Sequence, residues 1–171
     1  MRTFIAIDIP ERIKKEIVKI QEQLPKFNGK KTEPKNLHLT LKFLGEVDEK
    51  NLKEIRKRLK KIKLESFETE IKDIGMFSER IVWLKITNCN ELQKEVDEKL
   101  SDLFEKEERF MGHLTIARIK NLENRKEFLE KMKKIKIPEM RFIVERFNLK
   151  KSKLLRKEPV YENIEVYNLE I

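Results

Sequence analysis

The sequence predicts an α/β protein built by internal duplication, with two similar lobes about a pseudo-twofold axis. Apolar residues switch repeatedly between the two-residue period of strands and the period of about 3.6 of helices. Residues 2–75 and 80–149 both read strand, helix, strand, helix, strand. The tetrapeptides His38-Leu39-Thr40-Leu41 and His113-Leu114-Thr115-Ile116 fall in the middle strand of each unit. A chain of 171 residues suits one folding unit spanning 1–171 with a shared core.

The elements follow in order. Phe4-Ile5-Ala6-Ile7 reads as a buried strand. Pro10 then suits the first turn of a helix that carries Ile13, Ile17, Val18, Ile20 and Leu24 at helical spacing. Pro25 and Asn28-Gly29 end it. Residues 37–44 alternate as a half-buried strand that Gly45 breaks. Asp48 can cap a helix turning Leu52, Ile55, Leu59 and Ile62 inward, and residues 66–75 make the next strand. The order restarts at Ile81–Ile86, continues through a helix over 90–107 with Leu92, Val96, Leu100, Leu103 and Phe104, and reaches a strand at 113–119. A helix over 123–135 and a strand near 139–149 complete the second unit. Lys150–Lys157 reads as a basic loop before a final strand near 163–170. A duplication of this length is distinct from the short repeats of solenoids.

Forty Lys and Arg against thirty-one Asp and Glu leave a formal charge of +9, which favours nucleic acid, phosphorylated metabolites or a membrane surface as partner. With 42% charged residues, the composition resembles that of proteins from hot environments, where ion-pair networks lose less to desolvation. Part of the charge therefore serves stability alone. Cys89 is the one cysteine, so neither an intramolecular disulfide nor a cysteine zinc cage can form, and a reducing cytoplasm fits. The apolar run at the N-terminus stops at Asp8 and lacks the form of a signal peptide. No later stretch approaches the roughly 20 apolar residues of a membrane helix.

The chain has two histidines, and each stands two residues before a threonine. On a strand such residues share a face, so each His and Thr project together from an apolar anchor. Two such pairs across a cleft suit phosphodiester cleavage: one imidazole takes a proton from the attacking oxygen and the other gives one to the leaving oxygen. Thr40 and Thr115 would donate to the non-bridging oxygens. A lone strand histidine is more often a core or surface residue than a catalyst, but repetition of the tetrapeptide in matched strands favours function. A metal centre fits poorly, because zinc takes three or four protein ligands and neither strand carries an Asp, Glu or Cys on the face of its His. No Gly-rich phosphate loop and no Lys-x-Asp-Gly adenylation motif appears.

The two His-x-Thr-x motifs resemble the signature of the two-histidine (2H) phosphoesterases, and the chain is most similar to their RNA 2',3'-cyclic phosphodiesterase family, also called 2'-5' RNA ligases. The resemblance extends over Arg2–Asp8, Asn36–Gly45, Ile81–Trp83, His113–Arg118, and Phe147–Ser152 to Pro159-Val160-Tyr161. It implies a bilobal fold of mainly antiparallel sheets facing a central cleft, with helices outside. It further implies hydrolysis of 2',3'-cyclic phosphate RNA ends to 2'-phosphomonoesters, without cofactor or metal, and an ATP-independent reverse ligation through a 2'-5' bond. His113 would then activate water and His38 protonate the departing 3' oxygen, the two being nearly interchangeable by symmetry. RNA ends such as tRNA halves would be the partners of a monomer that binds no membrane.

Two further residues are candidates for substrate phosphate. Lys42 shares the face of His38 and Thr40 if its strand stays regular, whereas Arg118 has the opposite parity to His113, reaches the cleft only if its strand bends or ends first, and is a candidate by the family resemblance. Gly112 stands where the family often has proline, which implies a freer approach to His113. Two other readings stay open: an RNA-binding protein using the same groove without turnover, and an esterase for a small cyclic nucleotide or an ADP-ribose-derived cyclic phosphate. The basic tail and the outer face of the 49–62 helix would guide an RNA backbone by counterion release.

Overall fold

The structure is a computed structural model that describes residues 1–171. In chain order it contains β1 (Arg2–Asp8), α1 (Glu11–Glu22), β2 (Asn28–Lys31), a 3₁₀ turn (Pro34–Asn36), β3 (His38–Glu46), α2 (Glu49–Leu59), β4 (Phe67–Phe77) and β5 (Ile81–Ile86). There follow α3 (Asn90–Lys99), β6 (His113–Asn121), α4 (Arg125–Lys133), β7 (Met140–Val144), β8 (Arg146–Leu155) and β9 (Glu158–Asn168). Two antiparallel sheets result, one in the order β3-β1-β8-β9 and the other β2-β6-β5-β4-β7.

The helices form for the reasons their sequences suggest. On α1, Ile13, Ile17 and Ile20 come round to one buried face, each contributing about 1.5–3 kcal/mol by leaving water. Asp48 caps α2 by accepting from the Asn51 backbone N–H at 2.8 Å, and Asn124 caps α4 by accepting from that of Glu127 at 3.0 Å. One cluster of 36 buried apolar residues draws on both sheets and all four helices, so the chain has one core. No helix is long and apolar enough to cross a membrane.

The repeat is visible in the element order, but the sheets do not divide at the midpoint of the chain. β1 and β3 of the first unit lie beside β8, whereas β4 crosses to pair with β5 of the second. The four-stranded sheet thus takes β8 from the second unit, and the five-stranded sheet takes β2 and β4 from the first. Three local expectations change. The strand expected over 139–149 is broken at Glu145, so β7 joins the five-stranded sheet and β8 the four-stranded one. The supposed basic loop is the β8–β9 hairpin, turned at Arg156 and Lys157 with φ of 49° and 67°, the left-handed pair of a tight hairpin turn. Neither residue is the Gly or Asn that usually announces such a turn. The helix expected over 90–107 stops at Lys99 because Asp97 accepts the Glu107 backbone N–H at 2.9 Å and Lys42 donates to the Glu105 carbonyl at 2.6 Å, folding the chain back. Leu103 and Phe104 still pack on the core.

Candidate active site

The two motif strands are copies in structure as well as in sequence. β3 and β6 each have nine residues, and their side chains alternate identically between buried and accessible. In each, the His and Thr are partly accessible while the aliphatic residues behind them are buried. The strands meet where the two sheets approach each other.

The imidazoles are held the same way. His38 Nδ1 lies 2.7 Å from the Asn36 carbonyl oxygen, and His113 Nδ1 lies 2.9 Å from that of Met111. Each backbone oxygen accepts a proton from Nδ1, so the neutral ring carries its lone pair on Nε2. At His38 the Thr40 hydroxyl, 3.0 Å away, donates to that Nε2. Aromatic rings fix the planes: Phe4 and Tyr161 flank His38 at centroid separations of 5.1 and 5.0 Å, and Phe77 meets His113 edge to face at 5.1 Å. Phe77 rests against Trp83, whose indole lies flat over Gly75; a Cβ there would sit 2.4 Å from the ring.

Each motif strand carries one extra residue just beyond its Thr. Opposite β1, Thr40 pairs with Ala6 and Lys42 with Ile5, leaving Leu41 extra; opposite β5, Thr115 pairs with Trp83 and Ala117 with Val82, leaving Ile116 extra. Such a bulge reverses the parity of every residue after it. Leu41 and Lys42 are accordingly both buried, as are Ile116 and Ala117.

The bulges decide the fate of the two candidate phosphate ligands. Lys42 is turned out of the cleft: its ammonium is buried, paired with Asp97 at 2.5 Å and bonded to the Glu105 carbonyl, so the expectation that it contacts substrate is corrected. Arg118 is turned in. It occupies the exposed position that follows the bulge, and its positive charge is felt at His38 on the opposite sheet.

The electrostatics of His38 follow from its surroundings. Burial pushes His38 down to about 4, and Lys150 and Arg118 push the same way. The bond to the Asn36 carbonyl and the carboxylate of Asp8 oppose them. His38 is therefore neutral in the free protein at neutral pH. Lys150 is nearly buried, donating to Asp8 at 2.9 Å and to the Asn163 side chain at 2.7 Å. Sequence reasoning missed Lys150, Asp8, Tyr161 and Phe77 as parts of the site. The one signal was that Asp8, Lys150 and Tyr161 lie in segments sharing the family resemblance, and for Lys150 it was masked by the reading of 150–157 as a loop. The approach to His113 is also firmer than Gly112 suggests. Its carbonyl accepts from the Ile86 N–H at 2.9 Å, and a Cβ on it would lie 2.5 Å from the Ile86 oxygen.

Comparison with known proteins agrees with this geometry. The sequence profile of the LigT like Phosphoesterase family matches residues 7–83 and again 86–161, one match per repeat. An RNA 2',3'-cyclic phosphodiesterase of Methanocaldococcus jannaschii is 43% identical over 172 residues, covering 96% of this chain and 98% of its own. One of Thermotoga maritima is 37% identical, covering 95% and 92%. Among solved structures, TT0787 of Thermus thermophilus superposes with a TM-score of 0.81 at 26% identity over 98% of this chain and 97% of its own. Escherichia coli LigT complexed with phosphate superposes with a TM-score of 0.78 at 25% identity over 99% and 98%. With matched motifs on duplicated strands and a profile that spans both repeats, the chain belongs to the LigT-like family of two-histidine phosphoesterases.

Proposed function

We propose that this protein hydrolyses RNA ends bearing a 2',3'-cyclic phosphate and leaves a 2'-phosphomonoester. The observation that carries the reading is the shared imidazole geometry: both Nδ1 atoms are committed to backbone carbonyls, so Nε2 is the atom each ring can turn to substrate, at His38 in exchange for the Thr40 hydroxyl that bonds it in the free protein. Full-length similarity to proteins named RNA 2',3'-cyclic phosphodiesterase supplies the substrate class.

The chemistry follows from those atoms. One neutral Nε2 takes a proton from water as its oxygen attacks phosphorus; the bond from phosphorus to the 3' oxygen breaks, and the other imidazole, protonated, gives its proton to that oxygen. The resemblance assigns the base to His113 and the acid to His38. Because His38 is neutral in the free protein, its proton must be gained together with the substrate, whose phosphodiester anion offsets Lys150 and Arg118. Thr40 and Thr115 would then turn their hydroxyls to the non-bridging oxygens, with Arg118 neutralising the charge that grows on them. The reverse course, attack of a 5'-hydroxyl on the cyclic phosphate, would make a 2'-5' bond without nucleotide.

The direct test is hydrolysis of a cyclic-phosphate oligonucleotide in EDTA, with the product's phosphate position read by NMR. Turnover to the 2'-phosphate, reduced about 10²–10⁴-fold in His38→Ala and in His113→Ala, is expected. Tight binding without turnover by the wild type would favour a non-catalytic RNA-binding role.

A further inference from the structure

The face of the five-stranded sheet that bears His113 carries positive charge that the acid and base chemistry leaves unused. Lys85 on β5 stands directly opposite His113 on β6, and Lys72 on β4 stands directly opposite Lys85. Opposed residues of antiparallel strands share a face, and adjacent strands lie about 4.8 Å apart, so His113, Lys85 and Lys72 form a line across three strands. That face is the cleft face, since Trp83, two residues before Lys85, is opposite Thr115 and packs on the Phe77 ring that meets His113.

The charges of the two lysines are uncommitted. Lys30 is paired with Glu158, Lys42 with Asp97 and Lys150 with Asp8, whereas Lys72 and Lys85 form no ion pair. Like charges directly opposed on one face weaken a sheet, a cost that a bound anion would relieve. The free charge also ends abruptly. Beyond Lys72, the exposed Arg141 on β7 is held by Glu68, Glu70 and Glu139. On the other side of the cleft, the Lys30–Glu158 pair and the bond from the Asn36 side chain to the Pro159 carbonyl tie β2 and the 3₁₀ turn to β9. The unpaired lysines therefore extend from the site along one short line, away from His113.

A cyclic phosphate closes the 3' end of an RNA, so the rest of the strand lies on the 5' side of the scissile group. We propose that Lys85 and Lys72 bind the internucleotide phosphate immediately 5' to the cyclic end, which makes the site selective for a cyclic-ended oligonucleotide over a cyclic mononucleotide. The proposal rests on the RNA-end reading above and defines how much of the RNA the protein grips. Because carboxylates crowd the sheet beyond Lys72, the preference is nearly complete at the dinucleotide.

The test compares a mononucleoside 2',3'-cyclic phosphate with the corresponding di- and trinucleotides, using wild type, the Lys72→Gln/Lys85→Gln double variant, and Lys126→Gln on the exposed side of α4 as a charge control. Wild-type kcat/KM should rise from mono- to dinucleotide and then level off. The double variant should lose about tenfold on the dinucleotide, and its dependence of log kcat/KM on log salt should flatten by about 0.7, the value for one phosphate contact on a single strand. Mononucleotide turnover and the control should be unaffected. Equal losses on mono- and dinucleotide, or none on the dinucleotide beyond the control, would overturn the proposal. Calorimetric titration with the 2'-phosphate-ended dinucleotide and the 2'-mononucleotide separates this from the hydrolytic reading. Lysine-dependent preference for the dinucleotide in a wild type without turnover would sink hydrolysis and keep the subsite, whereas lysine-independent binding would sink the subsite whatever the turnover.

Discussion

His38 is a titratable group whose neighbours can be changed one at a time, and the chain contains a single other imidazole to observe beside it. Burial, Lys150 and Arg118 hold it down to about 4. Removing a positive charge favours the charged form, so Lys150→Gln should move the His38 NMR titration upward, by about one unit or less for a partly solvated pair. Loss of Lys150 also leaves Asp8 without its ammonium partner, which acts in the same direction. Adding a 2'-phosphomononucleotide to the wild type should raise His38 as well. A titration that stays near 4 with the anion bound would argue against His38 as the proton donor. The histidines and the threonines were legible from residue type and spacing, whereas Arg118 became a candidate only through the family resemblance, against its parity. Lys150 was not legible, because its relevance depends on β8 lying beside β1, a pairing separated by most of the chain.

At the scale of elements, the bulges in β3 and β6 do most to shape the site. Strict alternation places Lys42 with His38 and sets Arg118 apart from His113, and one extra residue in each strand reverses both placements. The Lys42–Asp97 pair that results joins β3 to the turn-back of the chain between α3 and β6. Lys42→Met would leave Asp97 buried with an uncompensated charge, and urea denaturation should show a loss of about 3–5 kcal/mol. The Lys42→Met/Asp97→Leu double variant should recover much of that loss, less the bonds Asp97 makes to the Glu107 N–H and the Gln93 side chain. If Lys42→Met alone were neutral, the pair would contribute nothing to holding that segment. A bulge has no composition signal here, since Leu41 and Ile116 look like ordinary strand residues. The short β2 was equally silent, being three polar residues and a glycine, all exposed, that pair along the edge of β6.

For the whole molecule, the exchange of strands between repeats has a consequence for folding. A fragment of residues 1–79 would hold β4 without its partners β5 and β7, and β1 without β8. It should show no cooperative thermal transition by circular dichroism, whereas the full chain should unfold in a single one through its shared core. Stability should also depend on His38. Its folded value near 4 lies below its ordinary 6.5, so the unfolded chain binds the extra proton between those limits. The associated stability is present in full above about pH 6.5 and is lost as pH falls toward 4. The loss is up to about 3 kcal/mol, less as solvent screens the half-buried ring. His38→Gln should flatten the stability profile across that window in urea titrations; an unchanged slope would place the acid sensitivity elsewhere.

By itself the sequence determined most element types, the duplicated order and the two catalytic-type pairs, because these are local matters of period, cap and residue chemistry repeated 75 positions apart. Only the tertiary structure decided which strands share a sheet, which way Lys42 and Arg118 turn, and that Lys150 and Asp8 surround His38. Those outcomes depend on register between strands distant in the chain. One inserted residue reverses every side chain after it, and burial against a remote neighbour sets whether an imidazole is charged.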